Sequence, residues 1–79
     1  MIKLGIFNMN RFLQTVNNCT GVVNLLYPDG RKENINKRYD LQRMLCQQHR
    51  EGKKYLRLSL EIPEPGDYLD VIFFSIGDC

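Results

Sequence analysis

The stretch CTGVVNLLYPDGRKENINKR, residues 19–38, constrains this chain more than any other. Val23, Leu25 and Tyr27 alternate with Val22, Asn24 and Leu26, the period of a strand. YPDG follows. Pro28 sets φ for the first central turn position, Asp29 suits the second, and Gly30 tolerates positive φ. RKENI returns as the second strand, ending at Ile35. The turn chemistry specifies a β-hairpin and needs no ligand to explain it.

The flanking segments extend this frame. KKYLRLSLEI alternates strictly, with Tyr55, Arg57, Ser59 and Glu61 against Leu56, Leu58, Leu60 and Ile62. That is a strand with one buried and one wet face. IKLGIF, residues 2–7, reads as a short first strand. Asn8 or Asn10 then caps a helix, because an Asn side chain accepts a free N–H of the first turn. Phe12, Val16 and Cys19 form its apolar stripe, widened by Leu13, and Gly21 suits the left-handed position past its end. Asp40 is a second N-cap, opening LQRMLCQQHRE, whose apolar side is Leu41, Met44 and Leu45 and which Gly52 ends. The tail, EPGDYLDVIFFSIGDC, supports two readings. Its composition favours strand, while Leu69, Ile72, Phe73 and Ile76 recur at helical spacing, with Pro65 and Asp67 suited to a helix start.

Seventy-nine residues make one domain, 1–79. A chain this short buries roughly 60% of its unfolded surface. Apolar residues are 43% and charged residues 25% of it, ordinary for a soluble globular domain. No apolar run approaches the length of about 20 residues that crosses a bilayer, so no membrane association is expected. MIKLGIFNMNRF lacks the apolar core and cleavage site of a signal peptide. Cys19, Cys46 and Cys79 are odd in number and far apart, with no Cys-x-x-Cys. This favours a reducing, cytoplasmic setting, with Cys19 and Cys46 as small core residues and Cys79 as a mobile terminal one.

The pattern Phe12-x3-Val16-x2-Cys19-x-Gly21-x-Val23-x-Leu25-x2-Pro28-Asp29-Gly30, followed by Asn34-Ile35-Asn36, resembles the histidine-containing phosphocarrier (HPr) family of sugar phosphotransferase systems. It is more similar still to short HPr-like proteins of Firmicutes mobile elements. The resemblance spans about residues 2–76. It implies an α+β, HPr-like open-faced β-sandwich, with about four antiparallel strands and two to three helices packed on one face, and a third helix in the tail. It does not carry phosphocarrier activity with it. The stretch matching the family's phosphohistidine segment is Asn8-Met9-Asn10-Arg11, without His or Pro. The stretch matching its regulatory serine reads Asn36-Lys37-Arg38-Tyr39.

Chemistry-bearing motifs are sparse. His49 is the single histidine. Cys46-x-x-His49 supplies two potential metal ligands where zinc needs three or four, so His49 is read as a partly exposed surface residue. Asp67 and Asp70 are read as charges that complement a helix N-terminus. The six glycines are dispersed and make no phosphate-binding loop. No catalytic residue, cofactor or metal is expected, and the protein is read as a non-enzyme.

Charge is the remaining lead. Residues 31–57 hold nine Lys/Arg against three Asp/Glu, whereas residues 58–79 hold five Asp/Glu and no Lys/Arg. Arg31, Lys32, Lys37, Arg38, Arg43, Arg50, Lys53 and Lys54 form the candidate interaction set, with Arg57 beyond it and Tyr27, Tyr39 and Tyr55 interleaved. Such a set serves as a solvated face, as a surface for an acidic protein, or as a track for nucleic acid. Glu33, Asp40 and Glu51 dilute it, and the pI of about 8.5 is modest for a nucleic-acid binder. The leading expectation is a protein-interaction module, an accessory protein of a mobile element or phage that modulates a host complex. The alternatives are nucleic-acid binding through residues 31–57 and a degenerate HPr-like regulator without phosphate transfer. A sheet edge also offers a route to a homodimer.

Overall fold

The computed structural model describes residues 2–77; Cys79 lies outside them. In chain order the elements are β1 (Ile2–Ile6), α1 (Met9–Asn17), β2 (Asn24–Leu26), β3 (Lys32–Asn34), α2 (Tyr39–Glu51), β4 (Leu56–Glu61) and α3 (Pro65–Gly77). The four strands form one antiparallel sheet in the order β1-β4-β2-β3. This is an α+β open-faced sandwich, and the tail is a helix.

The register follows the alternation. Leu4 pairs with Leu58, Ile2 with Leu60, and Leu25 with Leu60 from the other side, so one face of the sheet is apolar. Lys3, Arg57, Ser59, Asn24 and Lys32 occupy the other. Phe12 and Val16 of α1, Leu45 of α2, and Val71 and Phe74 of α3 close over the apolar face. Ile6, Phe12, Val16, Val23, Ile35, Leu60 and Val71 are fully buried, each contributing about 1.5–3 kcal/mol. The Phe12 and Phe74 rings meet at 5.7 Å between centroids, which locks α1 to α3.

The turn forms as its residues dictate. The Gly30 N–H donates to the Tyr27 carbonyl at 3.0 Å, and Gly30 has φ +92°. Asn8 is the cap of α1, its side chain accepting the Arg11 N–H at 3.1 Å.

Several expectations are corrected. Gly21 is not left-handed; α1 ends earlier, at Asn17, and the Gly21 N–H donates to the Asp67 carboxylate. Asp40 lies in the first turn of α2, whose cap is Arg38; the backbone has already turned at Lys37, so the helix starts before Asp40. Cys46 is half-buried rather than core. On α3 the core-facing residues are Asp67, Val71 and Phe74. Leu69, Phe73 and Ile76 of the sequence stripe are exposed, because α3 is apolar on more than one side and Asp67 fixes which side turns in.

Candidate functional site

Asp67, read from sequence as a helix-end charge, is buried and joins α3 to the loop after α1. It accepts the Thr20 N–H at 3.0 Å and the Gly21 N–H at 2.8 Å. The Thr20 N–H, and then that of Gly21, hold its carboxyl below the usual range. Beside it, burial and the Asp67 charge push the Cys19 thiol up to about 11. These groups hold the fold.

A second polar cluster sets the orientation of α2. Gln42, buried at a position the apolar stripe would give to a leucine, donates to Asn17 Oδ1 at 2.7 Å and to the Ile35 carbonyl at 2.8 Å. Asn17 returns a bond to Gln42 Oε1 and accepts the Lys37 N–H at 3.0 Å. At the other end of α2, His49 is only 8% exposed, a correction to its reading as a surface residue. Its Nε2 lies 2.8 Å from the Phe7 carbonyl oxygen, which accepts a hydrogen bond from it. With Gln42, Leu45 and His49 turned inward, the opposite side of α2 faces solvent. Tyr39, Arg43 and Arg50 fall within about 40° of arc along one edge of that side, whose middle holds Asp40, Gln47 and Glu51, at 3.6 residues per turn.

The structure divides the candidate cations into two groups. Arg31 pairs with Asp29 at 2.7 Å and lies 4.8 Å from the Tyr27 ring centre. Lys32 pairs with Glu61 at 3.0 Å, and Arg38 with Asp40 at 3.3 Å. The Arg31 N–H, Lys32 and Arg38 hold the respective carboxyls of Asp29, Glu61 and Asp40 below their ordinary range. Lys37, Arg43, Arg50, Lys53 and Lys54 have no carboxylate partner among the described residues. All five are exposed and follow α2 from one end to the other. Of the acids expected to dilute them, Asp40 pairs with Arg38, whereas Glu51 accepts from the neutral Gln47 Nε2 at 3.4 Å and keeps its charge on α2.

Backbone conformation picks out three of the five. Lys37, Lys53 and Lys54 have φ of 60°, 60° and 63°, and they are the non-glycine residues with positive φ among the described residues. Lys37 precedes α2 in a turn closed by the Arg38 N–H on the Ile35 carbonyl. After α2, the Lys54 N–H reaches the His49 carbonyl and the Lys53 N–H the Arg50 carbonyl. That is a Schellman motif, and its left-handed position is the one glycine or asparagine usually takes. Gly52 stands one residue earlier, where an added Cβ would lie 2.6 Å from the Tyr55 carbonyl oxygen.

Where α2 ends against the start of α1, an open notch of about 480 Å³ is lined by Phe7, Asn8, Asn10, His49, Arg50 and Lys54 among others. Phe7 is 64% exposed, and its ring meets Tyr55 at 4.6 Å between centroids. Gly5 leaves the space in which Tyr55 lies. Among the described residues no three His, Cys, Asp or Glu gather into a metal-binding group, and no helix is long and apolar enough to cross a membrane. The sheet edges are β1 and β3, where a second copy would have to pair.

Comparison with protein-family models, with curated proteins and with solved structures finds no match to this chain.

Proposed function

We propose that the protein is a non-enzymatic binding module that engages an anionic macromolecule along the exposed edge of α2 that carries Arg43 and Arg50. The observation that carries this is the backbone at Lys37, Lys53 and Lys54. A left-handed conformation costs an ordinary residue about 1–2 kcal/mol. Glycine would relieve it, yet lysine stands at all three sites, at both ends of α2. Strained backbone of this kind gathers where function needs a particular side chain. Arg43 and Arg50 share one edge of α2 between the two ends, and we read the five as one row. An accessory protein that modulates a larger complex would act by contact through a surface of this kind.

Retention on heparin, a polyanion without bases, tests the reading. Replacing Arg43 and Arg50 by Gln should shift elution to clearly lower salt. Replacing Arg31 and Lys32, which already have carboxylate partners, should shift it far less. Equal shifts for both pairs, or no retention of the unaltered protein, would contradict the proposal.

A further inference from the structure

We infer that the anionic partner is a single-stranded nucleic acid; this rests on the binding row proposed above and names its partner. The row does not end in solvent. At the start of α2, Tyr39 is 63% exposed on the same stripe as Arg43 and Arg50. At the far end, Phe7 is 64% exposed and lines one notch with Arg50 and Lys54. Ring, cation, cation, cation, ring therefore follow one another along a helix about 20 Å long, room for a few nucleotides. Phosphates meet the cations and bases stack on the rings, the arrangement by which proteins hold single strands without reading sequence.

The rings decide between partners. A duplex presents phosphates and groove edges but keeps its base faces stacked inside, so exposed Tyr39 and Phe7 gain nothing from it. Phe7 is also held in place: Tyr55 backs its ring, and the His49 bond to its carbonyl fixes the backbone. A positioned, exposed ring beside two cations with no carboxylate partner among the described residues suits a stacked base. An acidic protein surface would also bury such rings, and the comparison of single strand with duplex below separates the two.

The test is fluorescence anisotropy with labelled single strands of about 12 nucleotides and the matching duplex, at about 50 and 200 mM salt. The proteins compared are the unaltered chain, Phe7→Ala with Tyr39→Ala, and Arg43→Gln with Arg50→Gln. The single strand should bind at least tenfold more tightly than the duplex. The alanine pair should lose about tenfold or more per ring while keeping heparin retention. The glutamine pair should reduce the log–log salt slope by about 1.4. Equal binding of strand and duplex, or indifference to the alanine pair, would overturn the inference. Row-dependent heparin retention without oligonucleotide binding would also overturn it, and would turn the search to an acidic protein. Absence of both would overturn the binding row itself.

Discussion

His49 Nε2 lies 2.8 Å from the carbonyl oxygen of Phe7, 42 residues earlier in the chain. This bond ties the C-terminal turn of α2 to the junction of β1 and α1, and it brings an exposed ring beside Arg50 and Lys54. Replacing His49 by Ala removes both the bond and buried packing. It should lower stability by about 1–3 kcal/mol. Urea denaturation should show an earlier midpoint at unchanged slope, and binding should weaken because Phe7 is no longer held.

Gln42→Leu tests the other anchor of α2. Leucine fits the apolar stripe by pattern, but it would leave Asn17 and the Ile35 carbonyl without the donor they now have. The expected cost is about 1–3 kcal/mol, since a buried polar group without its partner bears its full desolvation. A neutral or stabilising result in the same denaturation experiment would show that the amide cluster does not position α2.

Asp67 makes stability depend on pH. Its folded pKa lies below its unfolded value, so its contribution is fully present above about pH 4. That contribution is lost as pH falls through the folded pKa. Asp67→Asn should therefore unfold at a lower temperature than the unaltered chain at pH 7, and the gap should close in strong acid. A gap independent of pH would show that the carboxylate charge is not what the Thr20 and Gly21 N–H groups hold.

The described cysteines should differ in reactivity. Cys19 is 3% exposed, its thiol is pushed up to about 11, and it donates to the Thr15 carbonyl. Cys46 is half-buried at the notch. In a Cys79→Ser background, iodoacetamide should modify Cys46 well before Cys19, as mass spectrometry can read. Equal rates would contradict the burial of Cys19.

Much of this fold is written locally. The YPDG turn, the alternation of residues 55–62 and the Asn8 cap each depend on neighbours within a few positions, and each forms as its chemistry directs. The face of α3 does not. Leu69, Phe73 and Ile76 make as good a stripe as Val71 and Phe74. The choice between them is made by Asp67 reaching Thr20, 47 residues away. The basic set divides in the same way. Composition selects eight residues, but only the sheet register brings Lys32 to Glu61, 29 positions on, and so sets it apart from Arg43 and Arg50 of α2, which have no carboxylate partner among the described residues. Left-handed lysines were also hidden. Gly52 is an obvious helix stop, and nothing local shows that the turn falls one residue later.

On the proposed reading, lysine stands in strained backbone around α2 because its charge is used. The most direct measurement replaces Lys37, Lys53 and Lys54 together by glycine and follows both thermal stability and heparin retention. Glycine relieves the left-handed strain and offsets part of the gain by its own chain entropy, for a net stabilisation of about 0.5–1 kcal/mol per site. The variant should melt higher and elute at markedly lower salt. A variant that melts higher and is retained as before would contradict that reading.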